Sequence, residues 1–448
     1  MQPVDDHTLH ELQIISDKRN DDCVFNYFNK TKSYGGRDFL KNMIRIPKQS
    51  LAGILSVKEL IKAISQNIDS WKVDISHAYI AAAENYYGSN IAYTMSQDVF
   101  QHWFQTMIFA YRHPTEYYHV ESGLAATIRV LRALNEMILQ LNEHEIKDEI
   151  KDDFSFMKSF FNSFVLKPFL KTNQKSLPKR TVFYLDYYFR KQHKVEFRRI
   201  LDIYYKLDAF MAIALTSREY TLSFPEFVLD KTCFDVSDIW HPLIPNAVKN
   251  SFSLHGDSGI CILTGANTSG KTTFLKSAGI VIFLAHLGWP VPARNLRLSF
   301  IDQLFTSIHL TDDLVLGYSH FYNEMMRIKR IAEALSRGEN CFIIIDELFR
   351  GTNQEDALFC SKTVVDGFSN YKNSIFIVST HLMELLDIYL KSPLVCFHCF
   401  KTKISGNDFE NTFRLEPGIA SEKVGKLIME KVGIPELLKI STKEKPSL

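Results

Sequence analysis

Net charge is almost absent from this chain. Its 52 Lys and Arg offset 51 Asp and Glu to +1, so no global basic field draws it to nucleic acid, and any such binding must come from a local patch. Long apolar runs are also missing. Nothing approaches the roughly 18 residues that a membrane span needs, and the start, MQPVDDHTLHELQ, shows no basic-then-apolar leader. Glycine and proline are few, and 46% apolar residues against 23% charged exclude wholesale disorder. The seven cysteines are an odd number scattered over 448 residues, which suits a reducing, cytoplasmic setting better than a disulfide framework. The one tight pair, Cys396-Phe-His-Cys399, sits in LVCFHCF. That reads as a strand, where residues three apart face opposite ways, so core packing is expected rather than a redox or zinc site.

What is present changes character near residue 235. Before it, apolar residues recur at helical spacing: Leu124, Ile128, Leu131, Leu134, Ile138 and Leu141 form one stripe. SVKE at Ser56 to Glu59 fits a capping box, with Val57, Leu60, Ile61, Ile64 and Ile68 as the apolar face behind it. After residue 235, short runs rich in Ile and Val (GICILTG, CFIIID, SIFIVST) alternate with helical segments, the pattern of strands buried on both faces of a mostly parallel sheet. The expected organisation is an all-α domain over 1–235 followed by an α/β domain over 236–448.

Within GICILTGANTSGKTTFL, the residues Gly265, Gly270, Lys271 and Thr272 fit G-x-x-x-x-G-K-[ST], directly after a predicted strand and before a helix starting near Thr273. Glycines let the backbone wrap closely, so the amides of Ala266, Asn267, Thr268, Ser269 and their neighbours can point at phosphate oxygens. The helix N-terminus adds positive potential there. Lys271 is expected to reach the β- and γ-phosphates of ATP, and the Thr272 hydroxyl to ligate Mg2+. Asp346 and Glu347 end the apolar strand CFIIID. Two adjacent carboxylates there need a cation and a reaction to serve, so Asp346 is assigned to the metal and Glu347 to the base that polarises the attacking water. His381, just after SIFIVST, is placed at the γ-phosphate or the attacking water.

In chain order, TGANTSGKTT, DDLVLGYSHFYNEM, DELFRGTNQEDA and STH resemble the ATPase domain of the MutS mismatch-repair family, an ABC-type P-loop domain with a mostly parallel sheet. VFNYFNKTKSYGGRDFLKNMIRIP (Val24 to Pro47) is similar to the start of that family's core, or lever, domain. LDIYYKLDAFMAIA (Leu201 to Ala214) resembles the helix that returns from the levers. The resemblance implies a homodimer in which Ser319, opening a helix, covers the γ-phosphate held by the other subunit, with Asn353 to Asp356 across the same interface. It also implies an aromatic ring against adenine, a position that Phe413 occupies, with strand packing as the alternative. The family's FTR reads FTS here, with Ser307 in place of the arginine. The only counterpart of its Phe-x-Glu mispair-reading wedge is FPE at Phe224 to Glu226, which lies on the link into the ATPase half with a proline inside it and is assigned no such role. The implied function is therefore ATP hydrolysis coupled to holding structured or mismatched DNA by shape, alongside other repair proteins. An ATP-gated clamp on structured RNA or ribosomes shares every ATPase residue and stays open, whereas a small-molecule kinase conflicts with the Asp-Glu pair and the Ser319 segment. A local basic patch does exist. Leu166 to Ile200 carries ten Lys and Arg against two acids, interleaved with Phe and Tyr, a composition that suits either a nucleic-acid stripe or a solvated helical face.

Overall fold

The computed structural model describes residues 1–16, 21–89, 99–163, 165–171, 177–229, 231–256, 259–308, 320–405, 408–420 and 429–438. The chain forms two compact units. One comprises Met1–Tyr27, Pro47–Leu51 and Leu222–Leu448; the other comprises Phe28–Ile46 and Ala52–Thr221.

The chain opens with α1 (Asp6–Glu11) and α2 (Val24–Phe28). The Asp5 side chain caps α1 by accepting from the Thr8 amide at 2.7 Å, satisfying a donor the helix start leaves open. The helical unit then runs through α3 (Tyr34–Arg45), α4 (Leu51–Gln66), α5 (Ile68–Trp71), α6 (His77–Gly88), α7 (Val99–Arg112) and α8 (Pro114–Gln140). It continues through α9 (Asp148–Phe161), α10 (Lys167–Lys171), α11 (Lys179–Tyr187) and α12 (Lys194–Glu219). The stripe read from Leu124 to Ile138 is buried along α8. In α4, Val57, Leu60, Ile61 and Ile64 are buried as expected, but the helix begins at Leu51, so Ser56 and Glu59 lie inside it and form no capping box. The apolar face extends one turn further back through buried Ile54, and burying that face outweighs the local cap signal. Ile68 falls in α5 instead.

The segments Val24 to Pro47 and Leu201 to Ala214 meet at a buried carboxylate. Asp208 accepts from the Ser33 amide at 2.8 Å and the Ser33 hydroxyl at 2.6 Å, while that hydroxyl caps α3 by accepting from the Gly36 amide at 3.0 Å. A Cβ on Gly36 would lie 2.3 Å from Asp208 Oδ2, so this close approach requires glycine. In the basic stretch, Phe183, Tyr188, Phe189 and Phe197 are buried, leaving Tyr184 exposed. Arg190 pairs with buried Asp186, and the Arg199 guanidinium lies 4.1 Å from the Phe156 ring centre. Most of the described rings there are therefore core, while Lys179, Arg180, Lys191, Lys194 and Arg198 stay exposed.

The other unit holds two sheets. Strands β1 (Glu226–Val228), β2 (Cys233–Ile239), β3 (Asn250–His255) and β5 (Asn295–Ser299) form a four-stranded sheet in the order β1-β5-β2-β3. The second sheet takes β4 (Ile260–Gly265), β6 (Gln303–Ser307), β7 (Cys341–Ile345), β8 (Ile375–Ser379), β9 (Val395–Ser405) and β10 (Asp408–Pro417), ordered β10-β9-β4-β8-β7-β6. Every pair in it is parallel except β10 with β9. Expected strands GICILTG, CFIIID and SIFIVST become β4, β7 and β8, each buried along its length. This unit is α/β, with helices α13 (Lys271–His286), α14 (His320–Ser336), α15 (Gln354–Phe368), α16 (Met383–Tyr389) and α17 (Ile434–Leu438). No helix among the described residues is long and apolar enough to cross a membrane.

Edge strand β6 is closed off by the beginning of the chain. Glu11 accepts from the Ile308 amide at 2.7 Å and from the Thr306 hydroxyl. Arg327 of α14 donates to the Thr306 carbonyl at 3.0 Å while paired with Asp5, and the Gln2 amide reaches the Asp302 carbonyl at 2.8 Å. The Thr306 carbonyl and the Ile308 amide at this sheet edge are thus satisfied.

Candidate functional site

Strands β4, β7 and β8 end on the same side of the sheet, because neighbouring parallel strands run in register. At the carboxyl ends of such strands the chain leaves the sheet in loops, and there the sheet is open to a ligand. Gly265 closes β4 with φ +139° and Gly270 precedes α13 with φ +108°, both favouring glycine. Gly265 is doubly constrained: a Cβ there would sit 2.8 Å from the Phe400 carbonyl oxygen. Between them, Ser269 is buried and its hydroxyl donates to the Ala266 carbonyl at 2.7 Å, and the Asn411 amide donates to the Thr268 carbonyl at 3.0 Å. The loop Ala266-Asn267-Thr268-Ser269 is therefore held from inside and from β10.

Lys271 opens α13 and is only 2% exposed. Its ammonium donates to the carbonyls of Gly265 at 2.5 Å and Ala266 at 3.0 Å, filling the curl of the loop. Burial pulls its pKa below the usual lysine value, against the pull of Asp346 and Glu347. Thr272, next along, donates its hydroxyl to Asp346 Oδ2 at 2.6 Å, so the fold unites the two residues the sequence assigned to one cation. Thr273 lines a neighbouring cavity. Asp346 Oδ1 is fixed in turn by the Ser379 hydroxyl, and that hydroxyl oxygen accepts from the Glu347 amide at 2.8 Å.

Glu347 stands at the turn out of β7 with φ +56°, and Phe349 follows with φ +58°. Non-glycine residues in this region are strained and need surroundings that hold them. The Phe349 amide is held by Glu324 of α14 at 2.6 Å. Glu347 Oε1 lies 3.1 Å from His381 Nε2, and Oε2 lies 2.8 Å from Arg350 Nη1. The His381 hydrogen bond, ahead of the opposing effect of burial, moves the Glu347 carboxyl below the usual carboxylate range, with Arg350, His381 and Lys271 charges in support. A carboxylate kept ionised beside an imidazole can take up a proton from water.

On the other side of Gly270 lies a cavity of about 300 Å³ lined by Trp240, His241, Ile244, Asn250, Thr273 and Phe413. Phe413 has φ +54° and sits where the β9–β10 register breaks between Asn411 and Leu415. Its ring is 44% exposed, so it is not the packed strand residue of the alternative reading, and its carbonyl accepts from the Asn250 amide at 3.1 Å. Burial lowers the His241 imidazole to about 4, helped by the Lys276 charge, so it is a neutral hydrogen-bonding wall of the cavity. Ser319 lies outside the described residues. Asn353 caps α15 by accepting from the Asp356 amide at 2.9 Å.

Sequence reasoning assigned no role to four participants: Ser379, Arg350, Asn411 and Glu324. Ser379, Arg350 and Glu324 lie in the motifs STH, DELFRGTNQEDA and DDLVLGYSHFYNEM, and Ser379 also stands out as a hydroxyl ending a fully apolar strand.

Residues 261–446 match the family model for MutS domain V. The chain is 30% identical over 238 residues to the DNA mismatch repair protein MutS of Ehrlichia ruminantium strain Gardel, covering 52% of this chain and 29% of that protein. It is 32% identical over 214 residues to MutS of Wolbachia pipientis wMel (46% and 24% covered). Against MutS of Lachnoclostridium phytofermentans it is 26% identical over 247 residues (53% and 26%). The matched region spans less than a third of each relative's length.

Proposed function

We propose that the chain belongs to the MutS family, on the match of residues 261–446 to the model for MutS domain V, and that it is an ATP-hydrolysing, DNA-binding protein of the MutS type. The observation that carries the reading is the meeting of Thr272 with Asp346 at 2.6 Å beside Glu347 and His381. Three sequence-distant segments supply, around one loop, the groups that a triphosphate, a hard cation and an attacking water each need.

In this reading, Gly265 to Gly270 wrap the phosphates as a P-loop with their amides, and Lys271 turns from the loop carbonyls to the β- and γ-phosphate oxygens. Thr272 and Asp346, both oxygen donors, suit Mg2+, which supplies charge neutralisation to the phosphates when bound. Glu347 accepts a proton from the attacking water while His381 and Arg350 orient its two oxygens. Purine stacks on the exposed Phe413 ring in the cavity beside Gly270. The homodimer with two composite sites rests on the family likeness of the Ser319 segment. The exposed basic side chains from Lys179 to Arg198 contribute phosphate contacts to structured DNA.

The test is ATP turnover and binding measured with homoduplex, mismatched, branched and single-stranded DNA, and with structured RNA, at two salt concentrations. Branched or mismatched DNA should stimulate turnover, with affinity falling steeply as salt rises. Absence of DNA binding at low salt, with stimulation by RNA or ribosomes, would transfer the same ATPase to a different clamp. The variant Ser319→Ala should bind ATP normally and lose turnover; unchanged activity independent of protein concentration would remove the composite site.

A further inference from the structure

Strands β4 and β9 pair in parallel with Cys261 opposite Cys396 and Leu263 opposite His398. Residues two apart on a strand share a face, so Cys396 and His398 point the same way, and the neighbouring strand adds Cys261 opposite Cys396. His398 Nδ1 lies 3.8 Å from the Cys261 sulfur and 3.9 Å from the Cys396 sulfur, and the three ligand atoms all fall within 4.8 Å of one another. Cys261 is fully buried, while Cys396 and His398 are half-buried. Cys399, three residues from Cys396, is buried in its own right and stands at the odd offset, on the opposite face. The Phe252 ring meets His398 edge-on, with ring centres 5.0 Å apart, giving the group an apolar wall.

We propose that Cys261, Cys396 and His398 form a binding site for a thiolate-seeking d10 cation, Zn2+ or Cu+. Two sulfur donors with an imidazole form a soft-to-borderline donor set, and it selects these ions over Mg2+ or Ca2+. Bond lengths of about 2.3 Å to sulfur and about 2.05 Å to nitrogen put S and N about 3.6 Å apart around a tetrahedral ion and about 3.8 Å apart around a trigonal one. The separations in the protein match the trigonal case and reach the tetrahedral one by closing a few tenths of an ångström. Zn2+ would keep one coordination position for water or a further donor, whereas Cu+ needs none. Because β4 runs directly into Gly265, an ion here would staple the two strands beneath the glycine-framed loop, at a place separate from Thr272 and Asp346.

Two arms of one experiment distinguish the ions. The reduced full chain is loaded with Zn2+ or, anaerobically, with Cu+, desalted against a weak chelator, and its metal content measured; Co2+ substitution reports thiolate ligation by its near-ultraviolet charge-transfer band. Wild-type protein should retain about one ion per chain and show the Co2+ band. Both should be lost in Cys396→Ser and His398→Gln and kept in Cys360→Ser, with circular dichroism showing that each variant is folded. The His398→Gln variant keeps the proposal testable if the serine variant fails to fold. Wild-type protein that retains neither ion, or variants that retain as much as wild type, would overturn the site. So would a Cys261–Cys396 disulfide found by mass spectrometry in protein that takes up no ion after reduction.

Discussion

Glu324 gives the sharpest test of the packing around the candidate site. Its side chain is 2% exposed. One oxygen accepts from the Phe349 amide at 2.6 Å, and the other, Oε2, is buried with no hydrogen-bond partner among the described residues. Burial raises the carboxyl from 4.5 to about 7, only partly offset by the Phe349 amide. A carboxyl whose folded pKa lies above its unfolded value favours folding while protonated, so its contribution is complete below about pH 4.5 and lost as pH rises through about 7. At about 1.4 kcal/mol per tenfold change in proton affinity, the ionised form costs roughly 3 kcal/mol above pH 7. Glu324→Gln keeps the volume and the acceptor for Phe349 but cannot ionise. In urea unfolding followed by circular dichroism, it should lie within about 1 kcal/mol of wild type at pH 5 and exceed it by roughly 3 kcal/mol at pH 8.5. In a melt, that gap corresponds to about 6–12 °C for a unit of this size. A gap that does not change with pH, or a glutamine variant less stable throughout, would refute the account of Glu324 as a buried, half-satisfied acid.

Further expectations concern the loop and its surroundings. Lys271→Met should lower ATP turnover by about 10²-fold or more, in line with loss of one charged donor at a phosphate, read by phosphate release. Glu347→Gln should still bind a fluorescent ATP analogue yet turn over about 10²–10⁴-fold more slowly; loss of binding instead would make Glu347 structural. Phe413→Ala should weaken nucleotide affinity about tenfold, the scale of one stacked base, measured by equilibrium titration, with no comparable loss for inorganic triphosphate. Asp5→Ala leaves the buried Arg327 guanidinium without its carboxylate. Unfolding free energy should fall by about 2 kcal/mol, less than for a fully buried pair because Asp5 is partly exposed.

The parts of the site legible in sequence are those whose residues are chain neighbours. Gly265 to Thr273 are contiguous, and both the left-handed glycines and the lysine after them follow from one local turn. Asp346 and Glu347 are legible because two acids at the end of CFIII contradict the burial around them. Strand and helix stripes are legible for the same reason: a period maps onto a face. What was hidden arises from contacts between distant segments. Ser379 matters through its hydroxyl lying between Asp346 and the Glu347 amide, which requires β7 beside β8. Glu324 and Arg350 depend on the shape of the turn around the positive φ at Glu347 and Phe349. The cysteine reading was sound for Cys396 and Cys399 yet looked at the wrong spacing: same-face partners are Cys396 and His398, and the third member comes from β4. The start of α4 was misplaced because a cap motif is weak beside a turn of buried apolar surface.

Docking of α1 on β6 bears on how the protein is made. Glu11 and Ile308 are 297 residues apart in sequence, and at about 5–20 residues per second the ribosome needs about 15–60 s to separate their synthesis. Through that interval the first helix waits without the strand it covers, while the intervening helical unit emerges whole and has only its own contacts to find. Closure of the α/β unit is thus a late, long-range event, and slowing translation between the two segments lengthens the time in which a chaperone or a protease meets the unpaired helix.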